Sequence, residues 1–295
     1  MVVAMKQNYG GERQMSQVFG YICSDDRLTA AVMQQAGESL GAVPREARVG
    51  LGIGYLQDGR SLLRKRPKGR AASVNLPSLI SDIPSQSMVG HIRHERMGRV
   101  GNKELQPYRF RDWVYAQCGL GEGAEKFQEP LVEGLPDHVE RNVGGTATAE
   151  AVFHEFYRRV ESELGTTAKA KRPRLYARAL AETIAELEKL SREQRDRGLE
   201  NFQAVAVTDR CMVAANIGGG MSYRVFEGIE VAEEEPLFAG HKPQVTYHDR
   251  FRAVMIANAI SDPEWESLED RELMWVDRKW GIHREGLASL ESAGQ

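Results

Sequence analysis

Arg93 is the side chain in this sequence best placed to hold a ligand. It closes His91-Ile92-Arg93 at the end of a predicted strand, and a guanidinium there has two competing uses. One is a bidentate clamp on a carboxylate or phosphate, which the planar fork favours; the other is a structural tie between strand end and loop. His91 and His94, with Glu95 beside them, raise the question of a metal. Residues three apart on a strand point to opposite faces and no third ligand is spaced to join them, so no metal is expected. Cys118 precedes Gly119 after another predicted strand and reads as a loop thiol. Such a thiol reacts only where a neighbour lowers its pKa. No neighbour of that kind is identifiable, and a buried inert thiol is the simpler reading.

Two basic stretches stand out, Arg64-Lys65-Arg66-Pro67-Lys68-Gly69-Arg70 and the group Lys169, Lys171, Arg172 and Arg174. Both could contact phosphates. The first has no interleaved aromatic residue for base stacking and reads as a solvated surface loop. The chain has 39 Lys and Arg against 42 Asp and Glu, a net charge of −3, so no global field attracts nucleic acid or an anionic membrane. Nucleic-acid binding is therefore disfavoured. The acidic run Glu233-Glu234-Glu235 reads as solvated. Trp265, Trp275 and Trp280, with Met274, read as core or subunit contact rather than a cofactor box, and no cofactor is expected.

The elements that position these residues follow from hydrophobic spacing. Val18 to Ile22 is a predicted strand, and Leu28 to Leu40 a helix. A hairpin is predicted from the strand Val49–Leu56, the turn Asp58-Gly59 and the strand Ser61–Arg64. Strands are predicted at Ser87–Arg93 and Trp113–Ala116. Thr148 reads as the N-cap of an amphipathic helix, and Pro173 opens a longer helix that closes at Gly198. Further strands are predicted at Phe202–Val207, Cys211–Asn216, Ala253–Ala257 and Leu273–Val276. Strands, two helices and strands again argue for an α+β layered sandwich.

Length and composition agree. The 295 residues, 41% apolar and 27% charged, suit a folded chain. Three widely spaced cysteines, Cys23, Cys118 and Cys211, exclude a disulfide framework or zinc knuckle and fit a reducing, cytoplasmic setting. No apolar run approaches the roughly 20 residues that span a bilayer. The first residues show no signal-peptide pattern, and no membrane association is expected. Residues 1–14 read as a flexible extension and 15–290 as one domain.

Four segments in this order resemble the stand-alone class II glutamine amidotransferases, whose fold is that of the N-terminal nucleophile (Ntn) hydrolases. Met15-Ser16-Gln17-Val18-Phe19-Gly20-Tyr21 is similar to the family's opening Met-Cys-Arg-Leu-Phe-Gly-Tyr. Gly52-Ile53-Gly54-Tyr55 resembles its Gly-Trp-Gly-Ile-Gly strand. His91-Ile92-Arg93, Gln106-Pro107-Tyr108 and Tyr115-Ala116-Gln117-Cys118-Gly119 resemble His-x-Arg, His-Pro-Phe and Phe-Ala-His-Asn-Gly. Asn201 to Asp209 and Ala253 to Trp265 look like its second sheet. The resemblance runs from about residue 15 to 285 and implies a four-layer αββα sandwich.

It also implies a site, and here the sequence departs from the family. The family's nucleophile is a terminal cysteine whose own α-amine handles the proton. The matching residue is Ser16, preceded by 15 residues, so its nitrogen is a peptide nitrogen and no base. The oxyanion Asn-Gly becomes Cys118-Gly119, which keeps only the Gly119 backbone N–H. Losing one such donor typically costs about 10²–10³ in rate. Arg93 retains the place of the residue that holds the substrate carboxylate, while Thr148 in Gly145-Thr146-Ala147-Thr148-Ala149-Glu150 stands where the family has the Asp for the ammonium group. The expectation is a degraded glutaminase site that acts by binding, either a small carboxylate or γ-glutamyl-like ligand or a protein partner. The alternative is an active amidohydrolase with Ser16 as nucleophile after removal of residues 1–15.

Overall fold

The computed structural model describes residues 16–36, 40, 48–70, 79–80, 82–94, 105–165, 168–209, 211–232 and 245–292. The N-terminal part contains β1 (Gln17–Cys23), α1 (Thr29–Ala36), β2 (Arg48–Gln57), β3 (Arg60–Arg70), β4 (Ser87–His94), β5 (Tyr108–Phe110) and β6 (Trp113–Cys118). The short helices α2 (Gln128–Glu133) and α3 (Asp137–Glu140) follow, then the long α4 (Thr148–Leu164) and α5 (Arg172–Arg195). The chain ends with β7 (Phe202–Thr208), β8 (Cys211–Ile217), β9 (Met221–Ala232), β10 (Val245–Asn258), β11 (Glu266–Ser267), β12 (Glu272–Val276), β13 (Ile282–Gly286) and α6 (Leu287–Ser292).

These strands form two antiparallel sheets, ordered β11-β9-β10-β1-β4-β2-β3 and β13-β12-β8-β7-β6-β5. Period-2 alternation gives each strand two faces, and in central strands such as β1, β7 and β8 both are buried. In β1, Phe19 and Tyr21 face outward to pack with Val32 and Met33 of α1. Val18 and Ile22 face inward to meet Val114, Val205 and Met212 of the other sheet. That sheet's outer face, with Tyr115, Phe202 and Val213, is covered by Phe153 and Phe156 of α4 and by Leu180 and Ile184 of α5. Helix, sheet, sheet and helices make the αββα sandwich. Fully burying each such side chain contributes about 1.5–3 kcal/mol, and the three apolar layers are what hold the sheets face to face. Trp265, Trp275 and Met274 belong to these cores.

The expected loop at Arg64–Arg70 is instead the second half of β3, paired with β2 from Gln57↔Arg60 to Arg48↔Arg70 with a register shift between Val49 and Leu51. Charge and Pro67 concealed the strand. Both suit its place, because β3 is the outermost strand of its sheet and Lys, Arg and Pro blunt an edge against pairing with another chain. Lys65 is no freely solvated charge: its ammonium lies 5.3 Å from the Tyr108 ring centre. Burial lowers its pKa, against the opposing influence of Glu150. In the second basic group, Arg174 pairs with Glu285 at 3.1 Å.

Three further expectations shift. Ala147, not Thr148, is the N-cap of α4, and Thr148 is its first helical residue. Helix α5 stops at Asp196, whose left-handed φ of 55° is one that Asp tolerates better than most residues, so Gly198 is not the terminator. Cys118 is the last residue of β6 rather than a loop residue. The run Glu233–Glu235, residues 1–14 and the side chain of His94 lie outside what is described.

Candidate functional site

The site follows from the same alternation that builds the inter-sheet core. Inward positions run Val18 and Ile22 on β1, Val89 on β4, Val114 and Ala116 on β6, Val205 and Val207 on β7, and Val254 and Ile256 on β10. Continued toward one end of the sandwich, these rows arrive at Ser16, at His91 and Arg93, at Cys118, at Gln203 and at Asn258. Five strands thus turn from apolar to polar at the same end of one layer. A cavity of about 830 Å³ opens there, lined by Ser16, His91, Arg93, Cys118 and Gln203, with Gly119 and Thr148 on its rim. All five predicted site residues, Ser16, Arg93, Cys118, Gly119 and Thr148, therefore border one space.

Their states differ. Arg93 is exposed, and no carboxylate pairs with it among the described residues. Ser16 is linked through its carbonyl oxygen, which accepts from Asn258 Nδ2 at 3.1 Å. Cys118 Sγ accepts from the same nitrogen at 3.2 Å and donates to Gln203 Oε1 at 3.5 Å. Burial pushes this thiol up to about 12, with the Asn258 amide pulling weakly the other way. The residue keeps some exposed surface, but at neutral pH its sulfur stays protonated and is a poor nucleophile. Thr148 Oγ1 donates to Ala124 O at 2.9 Å, tying the start of α4 to the neighbouring loop.

Gly119 has φ +94°, and a Cβ there would collide with the Asn201 carbonyl oxygen, so only glycine fits where β6 leaves its sheet. The rim that follows is held by Arg195, whose Nη1 donates to Leu120 O at 2.7 Å and Glu122 O at 3.1 Å. Its guanidinium lies 4.6 Å from the Phe127 ring centre.

Gln106 and Gln117, at the two positions where the resembled motifs carry histidines, are bonded to each other. Gln106 Nε2 donates to Gln117 O at 2.8 Å, and Gln117 N donates to Gln106 Oε1 at 2.7 Å, so a side-chain amide copies a strand partner. Tyr115 Oη donates to Gln117 Oε1 at 2.5 Å. Sequence reasoning missed this pairing, and it missed Gln203 and Asn258. The signal for the last two was present: each is a polar residue continuing an inward apolar row.

A smaller cavity of about 410 Å³ lies between β3 and β5, lined by Ser61, Arg109, Arg111 and His138 among others. It contains none of the predicted site residues. Its polar groups already bridge the elements, with Arg109 Nη1 on Ser61 O at 2.6 Å and Ser61 Oγ on Arg111 O at 2.7 Å. Among the described residues no cluster of His, Cys, Asp and Glu could hold a metal ion, and no helix is long and apolar enough to cross a membrane.

Comparison with known proteins agrees with this architecture. A glutamine amidotransferase class II domain protein from Silicibacter pomeroyi is 16% identical with a TM-score of 0.58, over 92% of this chain and 98% of that one. A predicted glutamine amidotransferase from Pseudomonas aeruginosa is 16% identical with a TM-score of 0.50, over 91% and 95%. The glutamine phosphoribosylpyrophosphate amidotransferase of B. subtilis gives 14% and 0.50, and this chain covers 49% of it. At these identities the likeness is one of fold, the Ntn-hydrolase sandwich. No curated protein matches the chain. The family model of glutamine amidotransferases class-II matches residues 15–195, more than half of the sequence, and the chain belongs to that family.

Proposed function

We propose that this chain is a class II glutamine amidotransferase homologue whose glutaminase site has become a binding site for a small carboxylate, including γ-glutamyl-like compounds. The observation that carries this reading is where the replaced groups point. Cys118 and Thr148 are hydrogen-bonded into the cavity wall, to Gln203 and Ala124, and Ser16 bears a peptide nitrogen. Arg197 already donates to Glu122 O at 3.5 Å. What remains for a ligand among the described lining residues is the Arg93 guanidinium, which no carboxylate there pairs, and the Gly119 backbone. A bidentate carboxylate contact uses the first, and the neutral Thr148 offers no charge to an ammonium group. Titration calorimetry with glutamate and with γ-glutamyl amides is expected to show binding that Arg93→Ala removes. Equal affinity for the substituted protein would overturn the assignment.

A second reading has one observation in its favour: Ser16, at the head of β1, borders the same cavity as Gly119. If residues 1–15 are removed, the α-amine of Ser16 becomes a base, the Gly119 N–H holds the oxyanion and Arg93 the substrate carboxylate. Intact mass of the natively expressed protein and release of aniline from a chromogenic γ-glutamyl anilide decide it. A terminus at Ser16 with turnover makes the chain an amidohydrolase. A longer terminus with no turnover leaves the binding reading. A protein partner is the remaining option, to be sought by native complex purification if carboxylates do not bind.

A further inference from the structure

We propose that Asn258 is the positioning residue of the cavity floor, holding the Ser16 carbonyl in place and committing the Cys118 thiol hydrogen to Gln203 of the cavity wall. The inference rests on the binding reading only in taking this cavity as the ligand site.

Asn258 ends β10, is 1% exposed and does not line the cavity. Its carbonyl Oδ1 accepts from the Val18 N–H at 2.7 Å. A backbone N–H cannot exchange donor for acceptor, so this contact fixes which end of the amide is oxygen. The Nδ2 end then faces Ser16 O at 3.1 Å and Cys118 Sγ at 3.2 Å, and both of its hydrogens are used. The sulfur, having accepted, sends its single hydrogen to the other partner within reach, Gln203 Oε1 at 3.5 Å.

Gln203 is oriented independently. Its Nε2 faces three acceptors, Asn201 Oδ1 at 2.6 Å, Ile217 O at 3.1 Å and Gly219 O at 3.0 Å, so its oxygen is the end turned to the thiol. The result is one directed chain from Val18 on β1, through Asn258 and Cys118, to Gln203 on β7. It crosses from one sheet to the other and has the same sense at every link. Only a side chain with one acceptor and two donors completes it: Asp has no donor and Ser has one hydrogen. A ligand oxygen in the cavity therefore receives no hydrogen bond from Cys118, and the floor is arranged to hold a bound molecule rather than a developing oxyanion.

The S–H stretching band of Cys118 in the Raman spectrum of the full chain, assigned by its loss in Cys118→Ala, reports the thiol's partner directly. In Asn258→Asp the new carboxylate offers no hydrogen and accepts the thiol's, so the band is expected to fall in frequency. In Gln203→Leu the thiol loses its acceptor, and the band is expected to rise toward that of a free S–H. A band unmoved in either folded variant overturns the proposal, and the second variant stands if the first does not fold. The spectra need no ligand, so failure of carboxylate binding and failure of the Asn258 assignment are read separately.

Discussion

The cavity has two sides built on different physical grounds. One side consists of strand ends, where ladder pairing and side-chain parity place Ser16, Arg93, Cys118 and Gln203. The other is a loop rim running from Gly119 to Glu125, opposite the end of α5 and the segment to Asn201. The strand side carries Arg93 and the rim side Arg195 and Arg197, and Arg93 and Arg195 are employed differently. Arg195 on the rim is bound to carbonyl oxygens, to Ser191 and to an aromatic face, while Arg93 on the strand side has no carboxylate partner among the described residues. A cation fully occupied by backbone oxygens maintains shape. A cation left over at the end of a polar row is the one available to an anion.

The largest expected effect tests the rim's backbone. Gly119→Ala places a Cβ against the Asn201 carbonyl at a φ that L residues rarely adopt, and is expected to destabilise the protein by about 3 kcal/mol in chemical denaturation. A loss below about 1 kcal/mol would mean that the rim relaxes freely and that the two sides are not distinct. Next is Arg195→Met, which keeps the apolar stem over Phe127 but removes the donors to Leu120 and Glu122. The loss is about 2 kcal/mol, with a lower melting temperature.

Arg93→Ala sharpens the contrast from the other side. Its stability should stay within about 0.5 kcal/mol of the parent, as for an exposed side chain with no ion pair among the described residues. Carboxylate affinity is expected to fall about 10- to 100-fold, the worth of charge-assisted hydrogen bonds. A melting shift as large as that of Arg195→Met would place Arg93 among the structural ties, the use left open by its position at a strand end.

Much of this division was legible in the sequence. The order of the main strands and helices and the strand end beside Arg93 followed from alternation, and Ser16 at the head of β1 from the family resemblance. What escaped had specific reasons. The second half of β3 carries charge because it is an edge strand, and charge at an edge looks like a loop in one dimension. Asn258 and Gln203 matter because rows from different strands end together, and which strands are neighbours is a long-range fact. The Gln106–Gln117 pair needed two segments from different motifs to meet. Thr148 looked like a cap because its hydroxyl suits one, but the hydroxyl is used on Ala124 instead.

The smallest expected effect concerns the Cys118 thiol on the strand side and is a dependence of stability on pH. A cysteine ordinarily titrates near 9.0, and burial holds this one up to about 12 in the folded chain. Between those values the unfolded chain has lost the proton while the folded chain keeps it. The folded state then binds more protons, so stability falls as pH rises through this window and is fully present below it. Cys23, raised to about 11, and Cys211, raised further, both chiefly by burial, act in the same direction, as do the buried Tyr21 and Tyr115, so Cys118 supplies only part of the slope. Denaturation measured from pH 8 to 11, values chosen to straddle about one ordinary thiol pKa, should show a downward slope that is shallower in Cys118→Ala. An unchanged slope in that variant would mean that the Cys118 sulfur ionises much as it does in water. The enclosed, hydrogen-bonded thiol that distinguishes the strand side from the open rim would then not exist.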